Sequence, residues 1–258
     1  MPIHEVAAQG FGSAAGAYEQ GRPTYPAPAV EWLTERLGLG PGRVVCDLGA
    51  GTGKLTRLLD ASGAHVIAAE PLAGMRSVLA GACPEAAVVA AAAEALPFRT
   101  ASLDALLVAQ AFHWFDTGPS LGEAARVLRP GGGVALIWNA WDDDVPWVAA
   151  MHQVVADAGA TAQWQRGHFS RAWAGDALAA HDGFGAVATA RFPHAQMLDR
   201  AGVVDRVATT SHIVTADVAT RDATLAAVRE ILDHDPSTAD REVIPFPYVT
   251  EIYASVRA

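Results

Sequence analysis

Short apolar runs alternate with amphipathic stretches through the first half of the chain. The runs at 43–48, 64–69, 86–90, 103–109 and 133–138 are nearly continuous in apolar residues, which predicts strands covered on both faces. Between them, 54–62, 73–81 and 118–128 read as helices, the last closed by Arg129-Pro130-Gly131-Gly132-Gly133. A helix over 28–38 precedes them, with Val30, Leu33 and Leu37 at helical spacing and a stop at Gly38-Leu39-Gly40-Pro41-Gly42. Strands alternating with helices, joined by right-handed crossovers, give an α/β doubly wound parallel sheet whose ligand crevice lies at the carboxyl ends of the strands.

Beyond residue 139 the rhythm changes. The stretch 138–147 carries three tryptophans and three acids in ten residues. A helix is predicted at 147–158, with Pro146 tolerated in its first turn. A strand at 187–192, helices at 197–208 and 217–232, and a last strand at 246–256 follow. Helices around 145–180 and 198–235 are expected to cover the crevice, while the two late strands complete the sheet. One domain is expected over 1–258, with 1–139 as ligand-binding core and N-terminal helical segment, and 140–258 as substrate cover plus the last two strands.

The densest chemical signal is Val44-Val45-Cys46-Asp47-Leu48-Gly49-Ala50-Gly51-Thr52-Gly53-Lys54-Leu55-Thr56. A buried strand ends in an acid, and three glycines at alternate positions then let a ligand lie against the main chain. The dinucleotide fingerprint needs a third glycine where Lys54 stands, and a phosphate loop needs a hydroxyl where Leu55 stands. Glu70 ends the second strand, 17 positions after Gly53, where an acid can accept hydrogen bonds from both ribose hydroxyls of an adenosyl group. Nicotinamide enzymes share that logic, so Glu70 alone does not discriminate. His113, just past the fourth strand, is a candidate general base; a structural histidine bonded to a backbone carbonyl is the alternative. Phe112, Trp114, Trp141 and Trp147 offer either an apolar wall for an acceptor or core packing.

The sequence Asp-x-Gly-x-Gly-x-Gly at 47–53 resembles the class I S-adenosylmethionine (SAM)-dependent methyltransferases. So do Ala93-Glu94-Ala95-Leu96-Pro97-Phe98 and Arg126-Val127-Leu128-Arg129-Pro130-Gly131-Gly132. The phrase Ala109-Gln110-Ala111-Phe112-His113-Trp114-Phe115 is narrower. With Tyr18-Glu19-Gln20-Gly21-Arg22-Pro23-Thr24-Tyr25-Pro26 and Phe246-Pro247-Tyr248-Val249-Thr250-Glu251-Ile252-Tyr253, it is similar to the methyltransferase type 11, trans-aconitate methyltransferase-like branch. The resemblance implies a seven-stranded, mostly parallel, Rossmann-like sheet with a helical cover. It implies SAM as methyl donor, S-adenosyl-L-homocysteine (SAH) as product, and in-line displacement onto a small-molecule acceptor through O, N, C or carboxylate.

The same resemblance distributes roles. Gly49, Ala50, Gly51 and Gly53 lie under the amino-acid part of the donor, and Asp47 organises that loop near the ammonium. Glu70 and Pro71 sit at the ribose, Met75 packs on adenine, and a backbone N–H near Ala93, next to Glu94, meets the ring. Family members often carry a polar residue where Ala92 stands. Gln110 belongs to the donor site, and Arg22, with Tyr18, is a candidate partner for the methionine carboxylate, since a guanidinium can hold a carboxylate bidentately. Phe112, Trp114 and Trp141 are the substrate-side residues. A non-catalytic SAM-binding module is the alternative, and an NAD(P)-dependent oxidoreductase a more distant one.

The 258 residues carry a formal net charge of −10, which argues against a nucleic-acid backbone as partner. Met1-Pro2-Ile3-His4-Glu5 shows no basic stretch before an apolar run, and no apolar run approaches about 18 residues, so neither a secretory signal nor a membrane span is expected. Cys46 and Cys83 read as free thiols of a cytoplasmic protein. Three consecutive acids, Asp142 to Asp144, point in different directions; with no zincin pair and no C-x-x-C, no metal is expected.

Overall fold

The computed structural model describes residues 21–158 and 172–258, so Tyr18 lies outside the described residues. Helix α1 (Ala27–Leu37) starts behind Pro26, buries Ala29, Leu33 and Leu37, and stops at Gly38, whose φ of 61° is left-handed. There follow β1 (Val44–Leu48), α2 (Thr56–Leu59), β2 (His65–Ala69), α3 (Ala73–Ala82), β3 (Ala87–Val89), β4 (Leu103–Ala109), α4 (Thr117–Val127) and β5 (Leu128–Trp141). The second half holds α5 (Pro146–Ala158), α6 (Ala172–Ala179), β6 (Ala188–Asp199), α7 (Arg200–Ala208), α8 (Ser211–Val214), α9 (Val218–His234) and β7 (Val243–Val256).

The seven strands lie in the order β3-β2-β1-β4-β5-β7-β6. Pairings from β3 to β5 are parallel, whereas β7 runs antiparallel to both β5 and β6. Strand order reverses between β1 and β4, which opens the ligand crevice beyond their carboxyl ends. Both faces of the sheet are covered. Val45, Leu107, Ala135, Ile137 and Ile252 pack under α1 and α2, while Cys46, Leu106, Val108 and Leu136 pack under α4 and α6. At the opposite end from the crevice, Asp104 accepts from Arg43 Nη1 at 3.0 Å, Val44 N–H at 2.8 Å and Arg129 Nη1 at 2.5 Å, tying the starts of β1, β4 and β5 together.

The cover has its own core. Ile244, Phe246 and Tyr248 of β7 meet Trp147, Val148, Met151 and Val155 of α5, Val203, Val204 and Val207 of α7, and Leu225, Val228 and Leu232 of α9. Phe246 and Tyr248 are fully buried, and burying such a side chain contributes about 2–3 kcal/mol.

Several element bounds depart from the sequence reading. The helix expected at 54–62 is one α turn, Thr56–Leu59, and a 3₁₀ turn, Asp60–Ser62, ended by Gly63 with φ 75°. The strand expected at 187–192 continues to Asp199, because antiparallel pairing with β7 from Ala188 to Asp199 holds 193–199 extended despite their helix-forming composition. The helix expected from 197 therefore begins at Arg200, and Asp199 caps it by accepting from Gly202 N–H at 2.7 Å. Strand β5 begins at Leu128 and reaches Trp141, beyond the expected 133–138, and β7 starts at Val243 instead of 246. These longer strands are what carry the cover.

Candidate active site

The three loop glycines are required for different reasons. Gly49, Gly51 and Gly53 have φ of 70°, 58° and 89°, a left-handed region that side chains disfavour. A Cβ on Gly49 would meet Ala111 Cβ at 2.6 Å, and one on Gly53 would meet Leu79 Cδ1 at 2.6 Å and Cys83 Sγ at 2.7 Å. Nothing lies within 4 Å of the position a Cβ would take on Gly51. Gly49 and Gly53 thus close the loop onto the fold, and Gly51 presents bare backbone to open space. The Gly49 and Ala50 N–H groups donate to Ala69 O, at 2.8 and 3.2 Å, which fixes the loop to the end of β2.

Two buried carboxylates flank that loop. Asp47 Oδ2 accepts from the Thr56 hydroxyl at 2.6 Å, and Oδ1 is buried with no hydrogen-bond partner among the described residues. Burial, opposed by the Thr56 bond and reinforced by the negative charge of Glu70, raises the Asp47 pKa from 3.8 to about 6. Glu70 accepts from Gly51 N–H through Oε2 and from Leu72 N–H through Oε1, both at 2.9 Å. Burial also raises the Glu70 pKa, against those two bonds and the charge of Arg76. Arg76 Nη1 donates to the carbonyls of Glu70 and Pro71, at 2.9 and 2.6 Å, fixing the backbone where β2 ends. A buried carboxylate oxygen lacking a donor, beside an open backbone loop and a second acid, fits the ammonium and ribose of SAM.

Of the residues expected at the adenine, Pro71 is partly exposed and Met75 is buried on α3. Ala93 is buried, and Glu94 Oε1 accepts from Asp116 N–H at 2.8 Å, linking the 93–98 segment to the loop after β4. Glu123 and Arg126 of α4 hold that segment through Leu96 N–H, Leu96 O and Phe98 O.

The loop after β4 opens with Gln110, a non-glycine residue at φ 58°. Its backbone N–H donates to Ile137 O at 2.9 Å and its side-chain Nε2 to Asn139 O at 3.0 Å. His113 lies in a 3₁₀ turn, Phe112–Trp114, with its ring 4.8 Å from that of Trp114. Desolvation, followed by the positive charge of Arg22, lowers the His113 pKa from 6.5 to about 4, so the imidazole is neutral at pH 7. Arg22 Nη2 donates to Thr209 O at the end of α7, at 3.1 Å, so the N-terminal segment is bonded to the cover.

The aromatic residues divide. Phe112, read from the sequence as a substrate contact, is only 1 % exposed and packs on Phe115 and Trp173, with centroids 6.0 and 5.4 Å away. Apolar neighbours from α4 and α6 draw it into the core, where it supports the loop from behind. Trp114 and Trp141 remain partly exposed. Trp141 sits edge-on to Phe246, and the Arg206 guanidinium lies 5.7 Å from its centroid. Trp147 is buried in the cover core. The acids at 142–144 form the loop into α5, where Asp143 faces His152 Nδ1 at 2.9 Å and Asp142 Oδ1 accepts from Asp144 N–H at 3.3 Å. Among the described residues no group of three or more His, Cys, Asp or Glu is placed to hold a metal ion, and no helix is long and apolar enough to cross a membrane.

Sequence reasoning missed Thr56 and Asn139. A hydroxyl nine residues after the strand-end acid is the only trace of Thr56. Asn139, between Trp138 and Ala140, stands out only as a polar residue ending an apolar strand.

Comparison with known proteins matches residues 46–136 to the methyltransferase domain family. An uncharacterized methyltransferase of Mycobacterium tuberculosis is 37% identical over 240 residues, 93% of this chain and 92% of its own. A demethylmenaquinone methyltransferase of Mycolicibacterium paratuberculosis is 43% identical over 97 residues, 37% of this chain and 41% of its own. A solved structure from Anaeromyxobacter dehalogenans, named as a type II methyltransferase, shares the fold with a TM-score of 0.66 at 22% identity, covering 92% of this chain and 97% of that one. The relationship over nearly the full chain, the reversed seventh strand and the paired acids around the glycine loop place this chain in the class I SAM-dependent methyltransferases.

Proposed function

We propose that this methyltransferase alkylates a small molecule held between the 110–116 loop and the helical cover. The observation that carries the reading is the cover itself. Strands β5, β6 and β7 run on beyond the sheet's other strands, and α5, α7 and α9 close on them around a separate apolar core. Such a cover suits an enclosed acceptor better than a macromolecular surface, and the net charge of −10 disfavours nucleic acid. The match to the demethylmenaquinone enzyme spans 37% of this chain, too little to carry its acceptor across.

SAM, when bound, supplies a methyl group on a sulfonium with a good leaving group. The residues of this chain then bind and align. Asp47 Oδ1 would accept from the ammonium, Arg22 would face the carboxylate, and the backbone at Gly49, Ala50, Gly51 and Gly53 would lie beneath the amino-acid portion. Glu70, beside Pro71, would take the ribose hydroxyls on the lone pairs its two backbone bonds leave over. Met75, Ala93 and Glu94 form the adenine side, and Gln110 borders the reacting end. Holding acceptor and methyl donor at near-attack distance accounts for much of the rate.

His113 works as a neutral hydrogen-bond acceptor. With a pKa of about 4 it is a weak base at pH 7, so its role is to accept a hydrogen bond from an acceptor O–H or N–H and orient it, the proton leaving to bulk water. Trp114 and Trp141 line the acceptor side, with Phe112 behind. Cys46 and Cys83, both buried free thiols, agree with a cytoplasmic setting. The reading treats core and cover as one functional unit over 1–258.

Incubation with methyl-labelled SAM and a fractionated small-molecule extract tests the proposal. Label in a low-molecular-weight product supports it. SAH binding with no labelled small molecule in any fraction would favour the non-catalytic module instead.

A further inference from the structure

On one face of the sheet, two apolar clusters are separated by a polar band. The lower cluster ends at Ile137, Ile252 and Phe192, and the cover cluster begins with Trp141 and Tyr248. Between them lie Asn139, its register partner Thr250, and His194, which pairs with Tyr248. Asn139 joins the members of this band. Its Nδ2 donates to Thr24 O at 3.1 Å, and its Oδ1 accepts from the Thr250 hydroxyl at 2.6 Å and lies 3.3 Å from His194 Nε2. An amide oxygen only accepts, so His194 carries its proton on Nε2. The backbone carbonyl of Asn139 accepts from Gln110 Nε2 at 3.0 Å.

These bonds join parts that sequence places far apart. Gln110 adopts left-handed backbone at the end of β4, a conformation its side-chain bond to Asn139 helps hold. Thr24 is two residues from Arg22, whose guanidinium reaches Thr209 O across the seam. The segment 22–24 is thus fastened at one end to the sheet and at the other to the cover.

We propose that Asn139 is a positioning residue for the methyl-donor site, setting Arg22 through its side-chain bond to Thr24, while its backbone carbonyl, which side-chain substitution leaves in place, holds Gln110. The inference rests on the reading of Arg22 and Gln110 as donor-binding residues.

The test is calorimetry of SAH binding to the full chain, carried out for wild type, N139A, N139D, R22A and the N139A/R22A double variant. N139D keeps an oxygen for Thr250 and His194 but loses the donor to Thr24, so it tests the link if N139A folds poorly. Each Asn139 variant is expected to weaken SAH binding about tenfold, the scale of one or two hydrogen bonds. R22A should also weaken it, and the double variant should bind little worse than R22A alone. Amide exchange at residues 21–25 should accelerate in both Asn139 variants. Unchanged SAH affinity in folded N139D, with or without a lower melting temperature, would reduce Asn139 to a structural role and overturn the proposal. Effects that multiply in the double variant would do the same. If wild type fails to bind SAH, the donor-site reading itself falls, a result distinct from either.

Discussion

Thr56 donates its hydroxyl to one oxygen of Asp47 at 2.6 Å, with both side chains fully buried, and leaves the other oxygen without a donor among the described residues. The pair makes half of a carboxylate structural and keeps the other half for a ligand. Thr56→Val preserves shape and removes the bond. Loss of a hydrogen bond to a buried charge costs about 1.5–3 kcal/mol, read as a lower urea midpoint. The Asp47 pKa should rise further, so SAH affinity at pH 7 should fall severalfold. Thr56→Ser should restore both.

The loop glycines should separate by their surroundings. Gly53→Ala drives a methyl into Leu79 and Cys83 at a φ of 89° and should cost about 2–4 kcal/mol of stability. Gly51→Ala has free space around the added methyl and pays only backbone strain, about 1–2 kcal/mol. Its larger effect should be on SAH binding, because the methyl stands where ligand would meet backbone. Melting temperature and calorimetry together distinguish the two variants.

Protonation of Asp47 should couple to donor binding. Without ligand its pKa is about 6, raised by burial, and an ammonium partner should return it toward the ordinary range. SAH affinity should therefore fall as pH drops through 6. Binding near pH 6 should release about half a proton, read from calorimetry in buffers of different ionisation enthalpy, and almost none at pH 8. A raised carboxyl pKa means that, in ligand-free protein, the stability this group contributes below pH 3.8 is lost as pH rises through about 6. His113 has the opposite sign. Its depressed pKa contributes stability above 6.5 that is lost as pH falls toward 4.

Asp104 should matter to stability alone. It holds Arg43, Arg129 and the Val44 N–H at the end of the sheet away from the crevice. Asp104→Ala strands two half-exposed arginines and an amide, which should cost about 2–3 kcal/mol. SAH affinity measured on the folded variant should not change.

What the sequence made legible is what short-range chemistry specifies. Asp47, the glycines and Glu70 stand in fixed register because β1, the glycine turn, the short α2 and β2 follow one another in the chain. The cover was less legible because its strand ends are set by pairing. Residues 193–199 have no local reason to be extended until β7 lies beside them, and Arg129–Gly132 read as a helix stop, although Leu128 pairs with Leu103 of β4 and Gly131 and Gly132 exchange hydrogen bonds with Arg257. Asn139 was hidden for the same reason, since its partners lie 55, 111 and 115 residues away. Phe112 looked like a contact because it sits in the right loop, but a 3₁₀ turn points it inward.

Calorimetric titration of SAH into wild type and Asp47→Asn at pH 7.5 tests the central claim most directly. Wild type should bind one equivalent in the micromolar range, and the variant, stripped of the carboxylate charge, should bind at least about tenfold more weakly. A folded wild type that binds no SAH, or an Asp47→Asn variant that binds it equally well, would contradict the account.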